Sequence, residues 1–158
     1  MALPPLLYCK SEAEYQAHFE RIYCHGSVLT FDKIRVYFKR NKFRHAFYES
    51  SNRDGVKDYF SPVRAQRMNW IEATLVHPEA SLYLGWDKGR RRYDATHRVC
   101  VAYDDFIVVI RLYLNGAEAL EAEFITCYQA DNSIAKITGS PKWTMEKCLA
   151  DLRNKKGR

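Results

Sequence analysis

Residues 98–129 read RVCVAYDDFIVVIRLYLNGAEALEAEFITCYQ, three runs rich in β-branched and aromatic side chains, broken at Asp104 and Asp105 and again at Asn115 and Gly116. Apolar runs bounded by turn residues predict successive strands joined by hairpins. Upstream, Leu82, Leu84 and Trp86 alternate before a turn signal at Asp87 to Gly89, which extends the expected antiparallel meander over residues 80–129. A three-residue loop at Asn115 and Gly116 would put Val108, Ile110 and Leu112 on one face with Leu120, Ala122 and Phe124, and set Arg111 opposite Glu121. A two-residue loop would scramble those faces.

The first half of the chain has a different period. Ser11 followed by Glu14 has the form of a capping box, and Tyr15, Phe19, Ile22 and Tyr23 follow at helical spacing, predicting a helix over 11–24. Ser61 and Pro62 open a second expected helix over 61–76, which ends before Pro78. Between them, Val28, Ile34, Val36 and Phe38 read as one or two strands, and Phe43, His45 and Phe47 would continue an inward face if that piece is also extended. Residues 143–152 suit a short final helix before a basic tail, 153–158. Helices first and strands later give an α+β architecture with helices packed on one face of the sheet.

The 158 residues suit one domain, 1–158, and 47% hydrophobic content is enough for a real core, which excludes wholesale disorder. The 25 Lys and Arg against 19 Asp and Glu leave a formal charge of +6, a bias toward polyanions. Residues 1–9 lack the basic and apolar segments of a secretory signal, and no apolar run suits a membrane helix, so a cytoplasmic, membrane-free protein is expected. Five scattered cysteines without zinc spacing read as reduced structural thiols, with no metal or cofactor site.

Residues 33–45 concentrate Lys33, Arg35, Lys39, Arg40, Lys42 and Arg44 around Tyr37, Phe38 and Phe43. Cations interleaved with aromatic rings suit a nucleic-acid strand, and equally a solvated strand face. A second cluster, Lys88 and Arg90 to Arg92, sits in a hairpin loop and suits either binding or solubility. His45 stands beside Arg44, with Glu49 nearby. It reads either as a proton-transfer group next to cations that balance phosphorane charge or as a hydrogen-bonded core histidine. Arg64 and Arg67 lie four residues before Met68 and Ile71, so they belong to an anion site or have a structural carboxylate partner. Thr126 and Tyr128 continue the face of Phe124, at a site or tied to backbone acceptors.

The order of these features resembles phage-associated nucleases of the barnase, EndoU, colicin and RelE (BECR) class. The residues that carry it are Lys42, Phe43, Arg44 and His45, then Arg64 and Arg67 in a helix through Trp70, Thr74 and Leu75, then Phe124 to Tyr128, within roughly residues 40–130. The resemblance implies a four- to five-stranded antiparallel sheet and metal-independent RNA cleavage through the 2′-hydroxyl. On that analogy His45 is general acid or base, Arg64 or Arg67 holds the scissile phosphate, and Thr126 and Tyr128 orient it. Arg44, Tyr48, Arg67, Lys42 and Arg40 would bind substrate. No glutamate stands where a barnase-type base belongs, Glu49 and Glu72 being the candidates. RNA is the expected partner, and a toxin role adds a protein inhibitor, an antitoxin or immunity protein. The rival expectation is a basic nucleic-acid-binding module of the same fold without catalysis.

Overall fold

The computed structural model describes residues 2–156. In chain order its elements are α1 (Glu12–Tyr23), β1 (Ser27–Leu29), β2 (Arg35–Tyr37), α2 (Lys42–Phe47), β3 (Tyr48–Glu49), β4 (Tyr59–Phe60), α3 (Pro62–Ala65) and α4 (Asn69–Val76). The second half adds β5 (Ser81–Tyr83), β6 (Gly85–Asp87), β7 (Arg92–Asp94), β8 (Val99–Tyr103), β9 (Phe106–Leu114), β10 (Leu120–Gln129), α5 (Ile134–Thr138) and α6 (Met145–Lys156).

The fold is α+β around a six-stranded mixed sheet ordered β1-β2-β10-β9-β8-β5. Strands β5, β8, β9 and β10 pair antiparallel as the hairpin signals require. The expected four- to five-stranded meander is nonetheless corrected, because β2 adds to β10 in parallel and brings β1 with it. Without β2 the outer edge of β10 would be unpaired, and an unpaired edge is a liability. The pairing sets Val36, fully buried, beside Ala122, and lets the Tyr37 hydroxyl donate to Glu121. Strands β6 and β7 leave the main sheet as a separate hairpin.

Leu112 faces Ala122 and Ile110 faces Phe124, so the expected apolar face of the last hairpin is present. Its loop is two residues longer than anticipated, and Arg111 therefore lies opposite Glu123 instead of Glu121. A shift of two preserves every face, since side chains alternate with a period of two.

Each expected helix is present, with one break. The Ser11 Oγ accepts from the Glu14 N–H at the start of α1, which buries Tyr15, Phe19 and Tyr23. Ser61 caps α3 by accepting from the Arg64 N–H, with Pro62 in the first turn. The predicted 61–76 helix then breaks at residues 66–68 and resumes as α4, which buries Ile71, Thr74 and Leu75. Of the expected tail at 153–158, residues 153–156 continue α6, while Gly157 and Arg158 lie outside the described residues.

The main core lies between the helices and the inner face of the sheet. Phe19 contacts Phe38, Phe43, Phe47 and Phe124, and Phe38 stacks on Phe124 at 4.9 Å. Helices on one face only is a second expectation that is corrected. Ile107 and Val109 are buried on the outer face with Tyr83, Ala102 and Ala130, partly covered by Ile134 and Ile137 of α5. The continuous run Phe106 to Ile110 explains this, because a strand buried on both faces has no polar side to give to water. The five cysteines are free thiols. Among the described residues no helix is long and apolar enough to cross a membrane.

Candidate functional site

Beyond Glu123 the β2 strand ends, and α2 takes its place along the edge of β10. The segment from Lys42 to Phe47 is helical, where an inward-facing extended piece was expected. Phe43, Ala46 and Phe47 share the buried stripe at helical spacing, which turns His45 outward to an exposed position. The core-histidine reading of His45 therefore fails on geometry.

Arg64 joins the two elements. Its Nε donates to the Ala46 carbonyl at 2.8 Å and its Nη2 to the Cys127 carbonyl at 2.7 Å. Both carbonyls belong to backbone that no strand neighbour reaches, so the guanidinium closes the sheet edge. Among the described residues no carboxylate forms an ion pair with Arg64, so the carboxylate-partner reading is replaced by a pair of backbone carbonyls. Arg67 also has protein partners: it donates to Gln129 and to the Val63 carbonyl, and lies over the Trp70 ring.

His45 is held below the ordinary imidazole value, first by partial desolvation and then by the charges of Lys42, Lys57, Arg98 and Arg64. Like charges disfavour the imidazolium, so this ring is neutral at neutral pH. Lys57 is itself depressed by burial and by Arg64, with Glu49 opposing. Burial and the Cys100 thiol raise Tyr128, against Arg98 and Arg64. The charges of Arg64 and Arg98 thus act on both His45 and Tyr128. Among the described residues no hydrogen bond or ion pair joins Glu49 to His45, and Glu72 lies on α4, its N–H donating to the Tyr23 hydroxyl.

A bulge between Phe124 and Thr126 changes the expected face. Phe124 packs inward opposite Ile110, whereas Thr126 and Tyr128 pair with Val109 and Ile107 on the outer face. Thr126 makes no side-chain hydrogen bond among the described residues, and Tyr128 lines a cavity on the outer face. The expected substrate cations are mostly engaged. Glu123, 8% exposed, takes up Lys39 at 3.2 Å, Lys42 at 3.8 Å and Arg111 at 3.4 Å. Arg40 pairs with Glu20, and Arg44 donates to the Lys57 carbonyl and lies over Tyr48, whose hydroxyl donates to Glu12.

Of the cations whose charge acts on His45, two stand outside the expected site residues, Lys57 and Arg98. Among the described residues neither Lys57 nor Arg98 makes a side-chain hydrogen bond or ion pair. Arg98 stands in the alternation of Cys100, and that outward parity was the available signal. It lines an outer-face cavity of about 810 Å³, between the β6–β7 hairpin and α5, with Tyr128 and Val109 on the floor. Among the described residues no group of three or more His, Cys, Asp and Glu side chains could hold a metal ion.

No family model, curated protein or solved structure matches the chain.

Proposed function

We propose that the chain engages RNA at the His45 cluster and cuts it there without a metal, through the strand's own 2′-hydroxyl. The observation that carries this reading is the company of His45, an exposed imidazole on which the charges of Lys42, Lys57, Arg98 and Arg64 all act against protonation, two of them, Lys57 and Arg98, making no side-chain hydrogen bond or ion pair among the described residues. Such a concentration of cations suits a phosphodiester, whose negative charge it would balance.

The chemistry needs little from the protein, because RNA supplies the nucleophile. Neutral His45 takes the 2′-hydroxyl proton as that oxygen bonds to phosphorus. Lys57 and Arg98 offset the charge that develops on the phosphorane oxygens. The bond from phosphorus to the 5′-oxygen breaks, and that oxygen takes a proton from the Tyr128 hydroxyl, which burial keeps protonated. The products are a 2′,3′-cyclic phosphate and a 5′-hydroxyl end. Arg64 acts as a positioning residue, fixing α2 against β10. The resemblance to the BECR class supports the same chemistry, and the proposal includes a cytoplasmic toxin or phage product whose inhibitor would present carboxylates to the cluster.

Incubating RNA with the protein and excess chelator tests this directly. Cleavage with cyclic phosphate ends, lost in His45→Ala while thermal unfolding stays the same, is the expected result. Unchanged cleavage in that variant removes His45 from the mechanism. One observation favours a second reading, binding without cutting: no hydrogen bond among the described residues fixes the His45 ring. Salt-sensitive RNA retention without any cleavage would establish it.

A further inference from the structure

The outer-face cavity has features that the His45 cluster does not use. Trp86 and Tyr93 face each other across the β6–β7 hairpin, with ring centroids 5.1 Å apart at 72°. They are 47% and 40% exposed at its wall, whereas most large aromatic rings of this chain are buried or partly buried. Opposite them stands α5, with Ile137 and Lys136, and Lys88 lies on the hairpin turn. The floor of Cys100 and Val109 is apolar. Three cations, Lys88, Arg98 and Lys136, border the space against one carboxylate, Asp87. That carboxylate is occupied, since it accepts from the Gly89 and Arg90 N–H groups and lies 4.0 Å from the Arg90 guanidinium.

The hairpin is set firmly against the sheet. Gly85 begins it, and a Cβ at that position would run into the Arg98 backbone carbonyl, so only glycine lets β6 come this close. The same contact ties the aromatic wall to the residue that links the cavity with His45.

Cations alone would suit any polyanion. An exposed ring pair above an apolar floor adds a platform for a flat aromatic ring, and base–aromatic stacking is the commonest way an unpaired nucleotide is held. The volume lies within the range of small-ligand sites, roughly 300–1,000 Å³. We propose that this cavity is a nucleotide subsite, in which an unpaired base stacks on Trp86 over the floor of Cys100 and Val109 while its phosphate meets Arg98. The proposal rests on the RNA reading only for the strand that carries the nucleotide. Arg98, shared between cavity and cluster, would hold the phosphate next to that base.

Calorimetric titration of the full chain tests this with adenosine 5′-monophosphate, adenosine, inorganic phosphate and a short 2′-O-methyl oligoadenylate, which cannot be cut through its blocked 2′-oxygen. The monophosphate should bind saturably and more tightly than adenosine or phosphate. Trp86→Ala, at an exposed position, should weaken both monophosphate and oligonucleotide roughly tenfold with unfolding unchanged. Arg98→Ala should weaken the monophosphate but not adenosine. Absence of monophosphate binding, or an unchanged affinity in Trp86→Ala, overturns the subsite. If the oligonucleotide binds wild type and Trp86→Ala alike, the subsite fails and the RNA reading stands. If the monophosphate binds through Trp86 and the oligonucleotide does not bind, the subsite stands and the RNA reading fails.

Discussion

Replacing Arg64 with methionine keeps much of the side chain's apolar length and removes both donors that close the edge of β10. The lost bonds are 2.8 Å to the Ala46 carbonyl and 2.7 Å to the Cys127 carbonyl, both from an ionised group in a partly buried setting. Hydrogen bonds from charged donors contribute about 1.5–3 kcal/mol each, and water reaching the vacated edge favours the lower end. The expected loss is therefore about 3 kcal/mol, a large part of the 5–15 kcal/mol typical of whole domains. With a urea dependence of about 2 kcal/mol per molar, the unfolding midpoint should fall by about 1.5 M. Arg64→Lys should recover less than half of this, because an ammonium cannot present the planar fork that serves two carbonyls at once. Urea unfolding followed by circular dichroism measures both variants. A loss under about 1 kcal/mol in Arg64→Met would refute the edge-closing role, since the two carbonyls would then be satisfied as well without it.

The core and the outer-face carboxylate give two more tests. Phe124→Ala empties the position where Phe19 and Phe38 meet the sheet, and should cost about 4 kcal/mol in the same urea assay; under 2 kcal/mol would mean that the aromatic cluster collapses to fill the space. Burial raises the Glu123 carboxyl, but the hydrogen bond and charge of Lys39 and the charge of Arg111 outweigh it and hold the group below its ordinary value. A depressed carboxylate stabilises the fold above its unfolded pKa of about 4.3, and that contribution is lost as pH falls through the folded value. Glu123→Gln should therefore be less stable at neutral pH, by on the order of 1 kcal/mol, and its deficit should shrink below pH ~4. A deficit independent of pH would contradict the ion-pair account.

How much of this was legible in the sequence depended on the range of the interaction. Ser11 with Glu14 and Ser61 with Pro62 are local signals, and both helix starts stand where those residues place them. Val108, Ile110 and Leu112 alternate clearly enough to set a face, although the loop length moved Arg111 from Glu121 to Glu123. Phe43, His45 and Phe47 misled because six residues are too few to separate a period of two from one of 3.6, and Ala46 was the deciding buried position. The parallel pairing of Val36 with Ala122 joins distant segments through packing, which no local pattern encodes. The bulge before Thr126 likewise reverses a face without a turn residue to announce it. At the candidate site, the charge of Arg64 acts on both His45 and Tyr128, while its own bonds go to the backbone that closes the sheet edge. Lys57 and Arg98 were missed because each is an isolated cation in sequence, and becomes a neighbour of His45 only through folding.

The central claim is that the cations around His45 await an RNA phosphate, and titration of the His45 ring by NMR tests it most directly. In the free protein partial desolvation, and then the surrounding cations, should hold its pKa below the ordinary value of about 6.5, so the unfolded chain binds the proton more readily and stability rises with pH from the folded value up to about 6.5. Saturation with the 2′-O-methyl oligoadenylate should move the His45 pKa upward, because a phosphate neutralises the charges of Lys57 and Arg98 that oppose protonation. A free value at or above 6.5, or one that stays fixed when the oligonucleotide is bound, would contradict the claim.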